Sequence, residues 1–64
     1  MIFQNIKEIG KKKGMSISAI EKKAKLGNGT ISGWKNSSPT VEKLGAVAKV
    51  LGTTVDELIK GETE

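Results

Sequence analysis

ISAIEKKAKLGNGTISGWKN, residues 17–36, contains two short helical patterns on either side of a glycine-rich turn. In the first pattern, Ile17, Ile20 and Ala24 recur at the spacing that places side chains on one helix face. The sequence Leu-Gly-Asn-Gly that follows is typical of a turn. We therefore predict a helix over residues 17–24 with a tight turn after it.

The second half of this stretch, residues 28–36, is predicted to be another helix with two unlike faces. Ile31 and Trp34 lie three residues apart on its apolar face, so we expect Trp34 in the core rather than on a ligand. The opposite face carries small or hydrogen-bonding residues, namely Asn28, Gly29, Thr30, Ser32, Gly33 and Asn36. The major groove of DNA is about 12 Å wide and admits one helix. A helix with this outer face and a buried inner face therefore has the composition expected of one that enters DNA.

The remaining sequence predicts three further helices. Apolar stripes at helical spacing cover residues 2–13 and 41–51, and a short helix begins at Thr54 and ends at Gly61. No window alternates apolar and polar residues for long enough to indicate a strand. We therefore predict an all-α fold, with one compact domain of five short helices over the whole chain.

Several residues are predicted to begin or end these helices. Gly14 follows three lysines and suits the end of the first helix. Ser16 and Ser18 both suit the N-cap of the second helix, and Ser18 with Glu21 has the spacing of a capping box. Thr40 is the N-cap candidate before residues 41–51.

The chain has no cysteine and no histidine. Disulfides, thiolate or imidazole metal ligands and a histidine general base are therefore excluded. We expect no enzymatic activity, no metal and no cofactor, and the sequence indicates no small-molecule ligand. A membrane span needs about 20 mostly apolar residues, and no such stretch or signal peptide is evident. We therefore expect a cytoplasmic protein that does not bind membranes.

The charge is basic and unevenly distributed. Eleven lysines face seven acidic residues, which gives a net charge of +4. Four of the acidic residues lie after position 54, together with only one of the lysines. A basic body of this kind suits a polyanion, although a lysine-rich surface also serves solubility.

Specific residues resemble the Cro and phage-repressor family of helix-turn-helix DNA-binding domains, also called the XRE family. They are GMSIS at 14–18, IEK at 20–22, GNGTISGWK at 27–35, SSPT at 37–40, Leu44, Val47, Ala48, Leu51, Gly52 and VDEL at 55–58. The similarity covers about residues 5–60. It implies a lambda-repressor-like five-helix bundle that binds double-stranded operator DNA, commonly as a homodimer. It also implies a transcriptional regulator, most often a repressor.

The resemblance also implies roles for individual residues, with the helix-turn-helix at residues 17–36 and the recognition helix at 28–36. Positions that face base edges in the family match Asn28, Gly29, Ser32 and Gly33. Thr30, at the helix start, is placed to touch base or phosphate. Positions that grip the DNA backbone match Lys35, Asn36, Ser37 and Ser38. Many relatives have Gln where Ile17 stands, and there it contacts phosphate or orients the recognition helix. Ile can do neither, so we assign this task to Ser16 or Ser18.

Two further departures from the family concern Glu21 and Lys25. Many relatives have Ala at the position of Glu21, so Glu21 predicts a looser or differently angled helix pair. Many have Gly at the position of Lys25, where a positive φ costs lysine about 1 kcal/mol. We expect Gly27 to take up that turn instead.

Other interpretations remain open for several residues. Asn28 also suits the N-cap of its own helix, and exposed Ser32 and Gly33 need no function. Lys22, Lys35 and Lys43 are phosphate candidates, whereas the lysines at 11–13 fit a solvated helix end.

For the whole chain, the alternatives are a protein-interaction module such as an antitoxin or coactivator, and less favourably a basic peptide at a membrane surface or an enzyme.

Overall fold

The computed structural model describes residues 2–60, and these form a helical fold without strands. The elements are α1 (Ile2–Lys12), α2 (Ile17–Lys23), one turn of 3-10 helix (Ser32–Lys35), α3 (Val41–Leu51) and α4 (Val55–Leu58). The all-α prediction is confirmed, but the part described has four α-helices rather than five. None of them is long and apolar enough to cross a membrane.

The missing α-helix is the one predicted over residues 28–36. Gly29 has a φ of +87°, outside the right-handed helical region, so a regular helix does not begin there. The backbone bonds that follow mix two spacings: Gly33 N–H donates to the Gly29 carbonyl, and Trp34 N–H to that of Ile31. Only Ser32–Lys35 closes into a 3-10 turn, which is the shorter and tighter relative of the α-helix.

The first helix ends where the glycine predicts. Gly14 has a φ of +73°, and its N–H donates to the Lys11 carbonyl at 3.1 Å. Met15 N–H donates to the Gly10 carbonyl at 2.7 Å. This pair of bonds is the Schellman ending, which satisfies the last carbonyls of a helix.

The helix starts are fixed by side-chain oxygens. The Oγ of Ser16 accepts from Ala19 N–H at 3.2 Å, so Ser16 is the N-cap of α2. The capping box predicted from Ser18 is therefore wrong. Thr40 accepts in the same way before α3, as predicted, and so does Thr54 before α4. The last helix is shorter than predicted: it ends at Leu58 with Ile59 as its C-cap, where the side-chain amide of Asn5 donates to the carbonyls of Leu58 and Lys60. Gly61, its predicted end, itself lies outside the described residues.

The turn that ends α2 contains a lysine in the left-handed conformation, which is unfavourable for residues other than glycine. Lys25 has a φ of +60°, and the prediction that Gly27 takes up this turn is wrong. Leu26 N–H donates to the Glu21 carbonyl at 2.8 Å, and Lys25 N–H to that of Lys22 at 3.2 Å. These bonds again form a Schellman ending, which places the left-handed conformation at position 25.

One core joins all the elements. Its buried hydrophobic residues are Phe3, Ile6, Ile20, Ile31, Trp34, Leu44, Val47, Ala48, Leu51 and Leu58. The prediction that Trp34 lies in the core is confirmed, and Ile31, three residues earlier in the sequence, is fully buried. Residues 28–36 are thus anchored from their inner side although they are not an α-helix.

The contact between α1 and α2 depends on a glycine. A Cβ on Gly10 would lie 2.8 Å from the Cδ1 of Ile20 and 2.9 Å from the carbonyl oxygen of Met15. Both distances are shorter than van der Waals contact allows. Gly10 therefore sets how closely α2, the first helix of the predicted DNA-binding pair, approaches α1.

Candidate nucleic-acid interface

The outer side of residues 28–36, which we call the recognition segment, is open to solvent. The residues predicted to face bases or the DNA backbone are exposed at Asn28, Gly29, Ser32, Gly33, Lys35, Asn36, Ser37 and Ser38, and half-buried at Thr30. Its inner side is closed by Ile31 and Trp34. Because apolar anchors fix one side, the other presents backbone and short polar side chains with little steric bulk.

Two of the predicted contact residues meet in a depression between α2 and the recognition segment. Ser18 and Asn28 line it together with Glu21, Lys22 and Leu26, and its volume is about 320 Å³. Hydroxyl, amide and ammonium groups are the side chains that proteins use to contact phosphates and base edges. The structure thus brings Ser18 of α2 close to Asn28 of the recognition segment.

Ser16 lies apart from this depression, in an apolar groove of about 400 Å³ between α1 and the start of α2. Lys7, Lys11, Met15 and Ile17 line the same groove. The Oγ of Ser16 is already an acceptor in the N-cap, but a hydroxyl keeps one proton to donate. Of the two serines, Ser18 is thus the one that shares a surface with Asn28.

The far end of the recognition segment is held by side chains as well as by its backbone. Ser37 Oγ donates to the Gly33 carbonyl at 3.0 Å, which satisfies the end of the 3-10 turn. The Nζ of Lys35 lies 4.7 Å from the centre of the Phe3 ring, within cation–π range. Lys35 is nevertheless exposed, so its ammonium group remains accessible to an anion.

Glu21 is the residue that sequence reasoning misjudged. It is only 3% exposed, and its carboxylate accepts from two backbone N–H groups, Gly29 at 3.1 Å and Ile31 at 2.8 Å. Of the two alternatives predicted for Glu21, the looser pair is therefore wrong, because this side chain ties α2 directly to the recognition segment. The different angle stays a prediction. The sequence did carry a sign of it: Glu21 stands four residues after Ile17 and three before Ala24, on the apolar face of α2.

The lysines named as phosphate candidates, Lys22, Lys35 and Lys43, are all exposed, as are those at positions 11–13. Exposure alone therefore does not distinguish the lysines predicted to contact phosphate from those predicted to form a solvated helix end. Between residues 2 and 60 there is no cluster of acidic side chains that could hold a metal ion.

A comparison with known families matches residues 6–58 to a family described as helix-turn-helix. This chain belongs to that family. The resemblance to XRE-type helix-turn-helix regulators is therefore confirmed. Members of this family are DNA-binding regulators of transcription. A search of curated protein sequences finds no match.

Two solved structures are similar to this helix-turn-helix chain. One is a complex of SinR protein with SinI protein; the TM-score is 0.86 at 31% identity over 97% of this chain. This chain spans 63% of the length of that one. The other is SinR, described as the master regulator for biofilm formation, in complex with DNA; the TM-score is 0.83 at 33% identity. That match covers 94% of this chain and all of the other.

Proposed function

We propose that this chain is a sequence-specific double-stranded DNA-binding regulator of transcription that acts as a repressor. The proposal rests on the two sides of the recognition segment. Its outer side is exposed and carries mostly short side chains, while Ile31 and Trp34 on its inner side are buried. The likeness to a SinR chain in complex with DNA supports the same function.

In the proposed complex, the recognition segment enters the major groove and the first helix, α2, crosses the DNA backbone. Asn28, Gly29, Ser32 and Gly33 face base edges, and Thr30 faces a base or a phosphate. The Asn28 amide suits the N6 and N7 atoms of adenine, since it both donates and accepts. These contacts select the site.

Affinity in the proposed complex comes mainly from phosphate contacts, which release counterions from DNA. Lys35 and Asn36 at the end of the recognition segment, with Ser38 just after it, contact the phosphates. Ser37 contacts them through its backbone N–H, because its hydroxyl proton is donated to the Gly33 carbonyl. Ser16 and Ser18, at the start of α2, grip it on the other side. The exposed Lys22 and Lys43 add charge to this surface.

Repression in this account is occupancy: a bound regulator excludes polymerase from operator DNA, which requires no catalysis and no cofactor. The chain acts as a single cytoplasmic helix-turn-helix domain and binds a two-fold site as a homodimer, since repeated half-sites follow from protein symmetry.

Selection of bound sequences from random duplex DNA tests this function. We expect enrichment of a palindromic consensus by the wild-type chain. Ser32→Glu places a carboxylate on the exposed recognition segment and is expected to abolish enrichment. Gln4→Glu makes the same charge change at an exposed position of α1 and is expected to preserve it. Absence of any enrichment by the folded wild-type chain would refute the proposal.

Protein partnering is a second candidate, and the likeness to a SinR chain in complex with SinI favours it. Under this alternative the same fold serves as an interaction module, as in an antitoxin or coactivator. The two functions differ in their response to salt, because binding to DNA weakens steeply as ionic strength rises. The second candidate is favoured if the chain captures a protein partner with an affinity that does not change with salt, and enriches no DNA sequence.

A further inference from the structure

We propose that Glu21 is the positioning residue of the recognition segment, and that its carboxylate sets how well the protein discriminates between DNA sequences. The inference rests on the proposed function for its DNA part. Because Glu21 is only 3% exposed, we assign it no contact with DNA. It acts through Gly29 and Ile31, whose N–H groups it accepts.

The recognition segment needs an external brace because its start is not helical. In an α-helix, capping side chains satisfy the first free N–H groups and regular bonds fix the turns that follow. Here the N–H of Thr30 donates to the Gly27 carbonyl at 3.1 Å, while those of Gly29 and Ile31 donate to Glu21. One side chain from α2 thus supplies the acceptors for two of three consecutive residues.

The bonds to Glu21 are strong and hard to replace. A carboxylate is a charged acceptor, and charge-assisted hydrogen bonds are about twice as strong as neutral ones. Each oxygen takes one N–H, so the two bonds fix both the position and the rotation of the segment at Gly29 and Ile31. The backbone on either side of Gly29, whose φ is +87°, would otherwise be the least restricted part of the segment.

Sequence discrimination is the property that such bracing controls. Asn28 and Ser32, the predicted base-facing side chains, directly flank the stretch held by Glu21. Base-edge contacts require groups held to within about 0.5 Å, whereas phosphate contacts carry no sequence information and tolerate movement. Loss of the brace should therefore weaken binding to the preferred site more than binding to random DNA.

The test compares these two affinities for the wild type and for Glu21→Gln. The amide keeps the shape of the side chain but only one acceptor oxygen, and its NH₂ group faces a backbone donor. We expect the ratio of specific to non-specific affinity to fall about tenfold or more, the equivalent of losing one good base contact. Glu21→Asp retains the charge with a shorter reach and serves as a second variant should the amide variant fail to fold.

The matched control is Val47→Ala, a truncation in the buried part of α3. A purely structural loss reduces the folded fraction, so it lowers both affinities by the same factor and leaves their ratio unchanged. A ratio that Glu21→Gln or Glu21→Asp also leaves unchanged overturns the inference.

Amide hydrogen exchange in the free protein separates this inference from the proposed function. We expect faster exchange at Gly29 and Ile31 in Glu21→Gln, with the core of α3 still protected. Unchanged exchange at these two amides would show that the brace is not needed and would overturn the inference without reference to DNA. If the wild type binds no duplex, the proposed function fails together with the discrimination, while the exchange result still decides whether Glu21 holds the segment.

Discussion

Replacing Gly10 with alanine should destabilise the fold, whereas the same replacement at Gly45 should stabilise it. Both glycines lie inside helices, α1 and α3, so alanine gains about 1 kcal/mol of helix propensity at each. At Gly45 nothing lies within 4 Å of the added Cβ. At Gly10 it meets the buried Ile20 and the carbonyl oxygen of Met15 below 3 Å, which forces the backbone or the core to move.

The magnitude follows from the cost of overpacking, typically about 1–3 kcal/mol. Because the propensity gain is the same in both variants, their difference in unfolding free energy isolates this cost. We therefore expect Gly10→Ala to be less stable than Gly45→Ala by about 1–3 kcal/mol. For a domain of this size, 1 kcal/mol corresponds to about 4–8 °C in Tm.

Thermal unfolding followed by circular dichroism, with urea unfolding as a second measure, checks both variants against the wild type. Gly45→Ala should melt above the wild type and Gly10→Ala below it. Equal increases in Tm for the two variants would show that the close approach of α1 and α2 does not require Gly10.

The other predictions concern single side chains near the recognition segment. Asn28→Ala should cost roughly 1–3 kcal/mol on the preferred site and relax sequence choice, as measured by fluorescence anisotropy with matched and mismatched duplexes. Lys35→Ala should weaken binding to all sequences alike and reduce the salt slope by about one, while Lys12→Ala leaves it unchanged; an unaltered slope removes Lys35 from the interface. Lys25→Gly should raise stability by up to about 1 kcal/mol because position 25 has a positive φ, whereas Lys23→Gly, at the last residue of α2, should lower it.

Much of the fold was predictable because the apolar spacing and the caps agree. The stripe of α3 lies between Thr40, which caps its start, and Gly52, whose φ of +67° ends it. Both residues act as their types predict. The spacing between Ile31 and Trp34 alone predicts that Trp34 lies in the core, where the structure has it.

The recognition segment was mispredicted because its spacing and its backbone disagree. Ile31 and Trp34 have the spacing of a helix face, and both are indeed buried. The backbone conformation, however, is decided by Gly29 and by the carboxylate of Glu21, which is eight residues away along the chain. A periodicity within one segment cannot reveal an acceptor supplied by another.

The positive φ at Lys25 is a second feature that the sequence alone could not predict. Gly27 was the expected site of the positive φ because glycine adopts it without penalty. The turn instead follows the register of the hydrogen bonds that end α2, and that register falls on Lys25. Residue preference gives the usual solution, whereas the bonds between neighbouring carbonyls and N–H groups decide the actual one.

The exposed side chains of the site could be named from the resemblance, but their grouping required the structure. Ser16 and Ser18 are two residues apart, yet one lies in the groove beside α1 and the other in the depression with Asn28. Position in the sequence could not separate them, because both flank the start of α2.

The most direct measurement is an NMR titration of the ¹⁵N-labelled chain with duplex DNA at low ionic strength, using a selected sequence and a random one. We expect the amide resonances of residues 28–36 to shift most and those of α4 to shift least, with larger shifts for the selected duplex. Resonances of residues 28–36 that stay unmoved by either duplex would contradict the claim that this segment is the DNA-binding surface.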